Sequence, residues 1–361
     1  VRVLTVIGNR PQFIKAAAVS PRLRAGSSEL LVHTGQHHDD RLSAIFFAEL
    51  GLPAPDRQLG IAGGSNTSQT ARMLMALEPV IAATPAPDWV LVYGDTNSTL
   101  AGALVAAQLG VRVAHVEAGM RSFDRSMPEE LNRVQCDHLA TLLLCPSEAA
   151  AENLRREGVA GTIEVVGDVM VDVALEVQPR ARERLDLLGE HGVDPGAYLL
   201  ATAHRAGNVD DPDRLSRLVG LLTGLGETVV LPLHPRTRSR LEAAGLLSEL
   251  TAAADIKVIE PVGYLEMAAL LCNARALVTD SGGLQKEAYL AGVPCVTLRE
   301  TTEWVETVEA GWNTLVGLDL ERARVALATA PPAQRPALYG DGRAGERVVA
   351  ALNRACPQSA P

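Results

Sequence analysis

The sequence predicts an α/β protein of two doubly wound domains, each a parallel sheet with helices on both faces. Three observations carry that prediction. The chain has 361 residues, more than one ordinary core organises and a fitting length for two. Short runs rich in Val, Ile and Leu recur without apolar/polar alternation, as in parallel strands covered on both sides. The rhythm of strand, tight turn and helix occurs in two sets, separated by a stretch rich in Arg, Glu, Gly and Pro.

Residues 1–7 form the first apolar run, Gly8 ends it, and a helix-compatible stretch follows from Gln12 to Arg24. The same unit returns at LLVHTG, at WVLVYGD with a helix over Leu100 to Leu109, and at VRVAHVEAG. LLLCPS then leads into a helix over Glu148 to Glu157, and IEVVGD closes the set. Between these, Thr67 to Ile81 reads as a longer packing helix, with Met73 and Met75 as core or interface fillers. This first domain is residues 1–176, and 177–195 reads as a linker with one short helix. The second domain, 196–340, begins at YLLATAHR and continues through a helix near Arg214 to Leu222, then TVVLPLHP, IKVIEPV, ALVTDSGG and PCVTLRE. Its further helices fall at Leu265 to Leu271, Leu284 to Leu290 and Trp304 to Val308. Residues 341–361 are expected to be a terminal helix and tail, packed back across the domains.

Composition narrows the function. Hydrophobic residues make up 47% but aromatics only 3%, so the core is aliphatic and the protein soluble. A net charge of -10 argues against a nucleic-acid partner, while a few arginines at a site still suffice to hold a small anion. No run is long enough to cross a bilayer, so no membrane partner is expected. Cys136, Cys145, Cys272, Cys295 and Cys356 are scattered without a CxxC pair, which points to a reduced, cytoplasmic protein.

The chemistry gathers at the ends of the apolar runs. In GNRPQFIK, Gly8 permits a close turn, and Arg10 and Lys15 bring charge to a helix N-terminus, suited to phosphate or carboxylate; an ordinary turn with surface cations reads the same way. Neither a GxGxxG nor a GxxxxGK[ST] signature is present, so neither NAD nor ATP is expected. Asp95 and Glu117 end neighbouring strand candidates and would face one site; the plainer alternative is that Asp95 caps the next helix and Glu117 pairs with Arg121. Glu129 and Arg133 lie four apart on a helix, as a surface ion pair or as a site acid with its holder. His204-Arg205 and His234-Pro235-Arg236 each follow a strand. In DSGGLQKEA, Ser281 is placed to cap a helix, Gly282 and Gly283 let backbone amides approach an anion, and Glu287 can accept from vicinal hydroxyls. The loop with Arg299 and Thr302 offers polar groups to a base or sugar, or simply to solvent. A metal at His37, His38, Asp39 and Asp40 finds no third ligand at a recognised spacing.

GNRPQFIK, TGQH, YGDTNSTL, HVEAG, PEELNR, His204-Arg205, His234-Pro235 and DSGGLQKEA occur in one order across nearly the whole chain. Together they resemble the non-hydrolysing UDP-N-acetylglucosamine 2-epimerase family, of glycosyltransferase-B-like architecture. The resemblance implies two Rossmann-like domains with an interdomain cleft, inversion at C2 of a UDP-linked 2-acetamido sugar, no cofactor and no metal, and a homodimer. It implies that Asp95, Glu117, Glu129 and His204 are catalytic, the first two as the principal acid/base pair. By the same correspondence Arg10, Lys15, Arg133, Arg205, His234, Ser281, Gly282, Gly283 and Glu287 bind substrate, and Arg299 and Thr302 are added to them from the polar character of their loop. RPQFIK departs from the commoner RPEAIK and resembles relatives acting on UDP-2,3-diacetamido uronic acids, so a carboxylate-bearing sugar is the alternative substrate. Hydrolysis to a free epimerised sugar and UDP, a glycosyltransferase, and a nucleotide-sugar-binding protein without catalysis are the remaining readings.

Overall fold

The computed structural model describes residues 1–36, 47, 49–83 and 85–356. They form two compact units, one of Val1–Val173 with Tyr339–Pro361, the other of Ala174–Leu338. His37, His38, Asp39 and Asp40 lie outside the described residues.

In the first unit the strands are β1 (Arg2–Ile7), β2 (Ser28–His33), β3 (Arg57–Gln58), β4 (Trp89–Tyr93), β5 (Arg112–Val116), β6 (Leu142–Cys145) and β7 (Thr162–Val165). They lie side by side as β3-β2-β1-β4-β5-β6-β7, every pairing parallel. Strand β4 is buried at every residue, which is why its sequence is one continuous apolar run. Connection direction reverses between β1 and β4, where Thr5 faces Leu91. Ligands of doubly wound sheets bind beyond the carboxyl ends of strands at such a reversal.

The helices of this unit begin where the sequence supplies caps. In α1 (Arg10–Arg24) the Asn9 side chain accepts from the Gln12 amide and Pro11 sits in the first turn. Helix α2 (Asn66–Ile81) buries Met73 completely, whereas Met75 is 76% exposed and fills no core. In α3 (Asn97–Gln108) Thr96 and Thr99 form a reciprocal capping box, so Asp95 is not needed as the cap. Helices α4 (Pro128–Leu139) and α5 (Glu148–Glu157) follow β5 and β6.

Residues 177–195, expected as a linker, are mostly helical: α6 (Val169–Glu183) carries the chain from one unit into the other, and α7 (Leu185–Glu190) follows. The second unit has strands β8 (Leu199–Thr202), β9 (Val229–Pro232), β10 (Ile256–Ile259), β11 (Ala276–Thr279), β12 (Cys295–Thr297) and β13 (Asn313–Leu315), ordered β10-β9-β8-β11-β12-β13 and all parallel. Its reversal falls between β8 and β11. Around the sheet lie α8 (Ala206–Val209), α9 (Pro212–Gly224), α10 (Pro235–Ala243), α11 (Leu247–Ala252), α12 (Tyr264–Cys272), α13 (Gly282–Ala291), α14 (Val305–Glu309) and α15 (Leu320–Ala328). Leu199, Ala201, Leu218, Val229, Leu231 and Val278 belong to its aliphatic core.

The final helix, α16 (Ala344–Arg354), returns to the first unit. Asp172 accepts from the Ala344 and Gly345 amides at 3.0 and 2.8 Å. A Cβ on Gly345 would stand 2.2 Å from the Ala18 carbonyl oxygen, so glycine alone lets α16 lie this close to α1. Val348, Ala351 and Leu352 complete the seal, all fully buried.

Candidate active site

Each unit gathers its polar residues at the carboxyl ends of the strands flanking its reversal. In the first unit, β1 and β4 are tied there by Gln12. Its carbonyl oxygen accepts from the Gly8 amide at 2.7 Å, and its amide donates to the Tyr93 carbonyl at 2.9 Å and Thr99 Oγ1 at 3.0 Å. Gln12 is therefore consumed in joining two strand ends, and the RPQ spelling of this motif acts through the scaffold. Phe13 beside it is fully buried, its ring 5.1 Å from that of His33.

Register brings the two acids together. Tyr93 of β4 faces Val116 of β5, so Asp95 and Glu117 leave adjacent strands side by side. Glu117 adopts φ 67°, a left-handed conformation that is costly for a residue with a Cβ and that recurs where a side chain must be aimed. Its Oε1 meets Lys15 Nζ at 2.7 Å, both side chains nearly buried. Gly94 makes room, since a Cβ there would come within 3.0 Å of Lys15 Nζ. Burial opposes the Lys15 charge, but the carboxylates of Glu117 and then Asp95 outweigh it and raise the lysine above its usual range.

Asp95 is bound by Arg133 of α4, whose other terminal nitrogen donates to Glu130 at 3.2 Å. Asn132 holds the Asp95 carbonyl at 3.0 Å. Burial disfavours the Arg133 charge, yet Asp95 and Glu130 keep it raised. Both plain alternatives for the acids therefore fail. Thr96 caps α3, and Arg121 pairs with Asp137 and Glu157, leaving Lys15 for Glu117. The expected Glu129–Arg133 pair is also replaced: Glu130, one residue on, takes the arginine and accepts from Ser122 and the Phe123 amide. Glu129 lies half-buried in the first turn of α4, and Arg10 opens α1.

In the second unit, β8 and β11 deliver His204-Arg205 and Asp280-Ser281. The fully buried Asp280 carboxylate accepts from the backbone amides of His204 and Arg205 at 3.1 and 3.0 Å and from Asn208 at 3.1 Å, fixing the loop. The rings of His204 and His234 stack with centroids 5.3 Å apart. Ser281 stands at the N-cap of α13 but makes no capping bond with its side chain. The expectation of a serine cap is thus corrected, and the first amides of α13 receive no side-chain bond from Ser281. The Glu303 carboxylate comes close here, the space a Gly282 Cβ would fill lying 2.2 Å from its Oε1. Arg299 donates to Glu303 at 2.9 Å and Arg205 stands 3.8 Å away. Thr302 does not face outward but donates to Gln285 at 2.6 Å. Gly283 is open on its Cβ side, and Glu287 lies half-buried further along α13. Burial pushes the Glu287 carboxyl up to about 7, against the pull of Lys286.

Among the described residues no helix is long and apolar enough to cross a membrane. The model of the UDP-N-acetylglucosamine 2-epimerase family matches residues 22–353. The chain is 49% identical to the UDP-2,3-diacetamido-2,3-dideoxy-D-glucuronate 2-epimerase of Pseudomonas aeruginosa, over 96% of this chain and 98% of that one. It is 45% identical to a UDP-N-acetylglucosamine 2-epimerase homolog of Methanococcus maripaludis, over 97% and 99%. It superposes on the crystal structure of the Methanocaldococcus jannaschii UDP-GlcNAc 2-epimerase, in complex with UDP-GlcNAc and UDP, with a TM-score of 0.91 and 41% identity over 98% and 100% of the two chains. With two tandem sheets of the glycosyltransferase-B-like kind and matches that run the length of the chain, the protein belongs to the non-hydrolysing UDP-N-acetylglucosamine 2-epimerase family and is a 2-epimerase of a UDP-linked amino sugar.

Proposed function

We propose that this enzyme interconverts UDP-N-acetylglucosamine and UDP-N-acetylmannosamine by elimination and re-addition of UDP. The C2 hydrogen leaves as a proton to a carboxylate, the C1–O bond breaks with its electron pair going to UDP, and a 2-acetamidoglucal remains. UDP oxygen then re-forms the bond to C1 while a proton reaches the opposite face of C2. The sum consumes neither water nor electrons. What carries the reading is the pair of carboxylates leaving adjacent strands, each with its own cation: Glu117 with Lys15, Asp95 with Arg133. An acid/base pair needs two groups in different settings so that one accepts while the other donates. Glu129 assists from α4, and Arg10 and Lys15 bring positive charge to the sugar diphosphate. His204, Ser281 and the amides at Gly282 and Gly283 take the diphosphate, with Arg205, His234, Arg299 and Thr302 lining it. The N-terminus of α13, with the Arg205 guanidinium beside Gly282, suits that charge, and the diphosphate would displace the Glu303 carboxylate that now lies near Gly282.

A second reading, a UDP-2,3-diacetamido uronic acid as substrate, is favoured by the 49% identity to the Pseudomonas enzyme of that name. Incubating the protein with each UDP-sugar in heavy water and following C2 by NMR separates them. Inversion with deuterium gain on the neutral sugar is the expected result; turnover of the uronic acid alone would replace it, and no exchange on either would overturn both.

Glu287 is assigned to the ribose, where two hydroxyls donate to an ionised carboxylate. Its pKa of about 7, above the ordinary 4.5, means the folded protein holds a proton there between those values. Its contribution to stability is full below 4.5 and is lost as pH rises through 7. Hydroxyl binding runs the opposite way, because it needs the proton gone. UDP affinity is expected to rise between about pH 6 and 8 more steeply in the wild type than in Glu287→Gln, as read by calorimetric titration. Parallel profiles would remove Glu287 from the ribose.

A further inference from the structure

Beneath the two site acids lies a charged cluster with no place in the reaction scheme. His115 of β5 and Asp137 of α4 are both fully buried, and their Nδ1 and Oδ1 are 2.7 Å apart. The other ring nitrogen, Nε2, lies 2.7 Å from the Gly94 carbonyl oxygen. The second oxygen of Asp137 accepts from the Gly119 amide at 3.1 Å and from Arg121 at 2.7 Å, and Arg121 extends to Glu157 through two bonds of 2.7 and 2.6 Å. Burial would raise the Asp137 pKa, but His115 and then Arg121 hold it below the usual range, so it is a carboxylate. The Asp137 carboxylate and the Gly94 carbonyl thus take one ring nitrogen of His115 each. The buried Asp137 carboxylate is matched by the buried Arg121 guanidinium, whose far side reaches the exposed Glu157.

The two backbone groups this cluster grips are Gly94, which precedes Asp95, and Gly119, which closes the turn carrying Glu117. Both turns need holding. Gly94, Glu117 and Gly119 have φ of 63°, 67° and 80°. A Cβ on Gly119 would lie 2.2 Å from the Ala150 carbonyl oxygen. A histidine spanning two acceptors and a carboxylate spanning three donors give one rigid member with an end on each turn.

We propose that the buried His115–Asp137 pair is a positioning device for the epimerase: it locks the Gly94–Asp95 and Glu117–Gly119 turns in one frame, setting the separation of the acid and base. The inference rests on the roles given to Asp95 and Glu117. Asp137→Asn keeps the shape but puts an amide hydrogen toward one of three donors, so either His115 or the Gly119 amide loses its acceptor. Misplacement of about 1 Å costs on the order of 100-fold in rate. The kcat for C2 exchange is expected to fall about 10- to 100-fold, with KM within about threefold of wild type, well below the melting temperature.

A lowered melting temperature with kcat unchanged would mean a purely structural role and overturn the proposal. If Asp137→Asn does not fold, His115→Gln is read in the same way. Independently of any variant, nitrogen NMR of histidine-labelled wild type should show a His115 ring protected from exchange and hydrogen-bonded through both nitrogens; a ring free of a partner at either nitrogen overturns it. Full exchange in Asp95→Asn and Glu117→Gln would instead strike the acid/base reading itself. Loss there, with exchange intact in Asp137→Asn and His115→Gln, strikes only the positioning role.

Discussion

In heavy water, Asp95→Asn and Glu117→Gln are each expected to lose C2 hydrogen exchange by about 10²- to 10⁴-fold, the usual contribution of a positioned acid or base. The amides are chosen for what they keep. An asparagine oxygen at position 95 can still accept from Arg133, and a glutamine oxygen at 117 can accept from Lys15, so the hydrogen bonds that seat both side chains survive. What disappears is the exchangeable proton and the negative charge beside each cation. Stability should suffer more at 117, where a buried lysine loses its principal counter-charge. Deuterium gain by NMR, with melting temperature and UDP affinity measured on the same samples, separates chemistry from folding. Wild-type exchange in both variants would end the assignment.

His204→Ala is expected to lower kcat/KM by about 10- to 100-fold, the range for a hydrogen bond to a charged group, about 1.5–3 kcal/mol. His204 leaves β8 at the sheet reversal, with its backbone amide fixed by Asp280. His234 stacks on it with centroids 5.3 Å apart. Removing the His204 ring takes away the polar group and leaves the loop anchored, because the bonds to Asp280 come from the backbone. His234→Ala, which removes the stacking ring and its cap on the Arg236 amide at the start of α10, should cost less, because His234 stands behind His204 in the proposed diphosphate site. Steady-state kinetics with UDP affinity for both variants checks the order; an unaffected His204→Ala would move diphosphate recognition to the arginines and the α13 amides.

Much of this was legible in the sequence because buried parallel strands leave a distinctive trace. All eleven apolar runs read as strands are strands. The two that escaped notice are short, Arg57–Gln58 with both residues exposed and Asn313–Leu315 of three residues. Helix α10, PRTRSRLEA, hid behind its arginines, with only Thr237 and Leu241 buried. Strand ends also announced Asp95, Glu117, His204 and Ser281, since apolar packing gives no reason for polar residues there. Partners did not announce themselves. Arg133 chose Glu130 over Glu129, and Glu303 came to the helix N-terminus from the loop after β12, choices set by three-dimensional approach. Asp137 lies 22 positions from His115, and no spacing rule links a strand residue to one on the following helix.

The return of α16 bears on how the molecule is made. Synthesis runs from the amino end onward, so the whole of Ala174–Leu338 emerges before the segment that seals Val348, Ala351 and Leu352 against α1. The unit begun first is the one finished last, and until then α1 shows the ribosome's surroundings an apolar flank. Placing a stop codon before Ala344 would thus spare the later-begun unit its full complement of contacts and strip the earlier one of its closing piece.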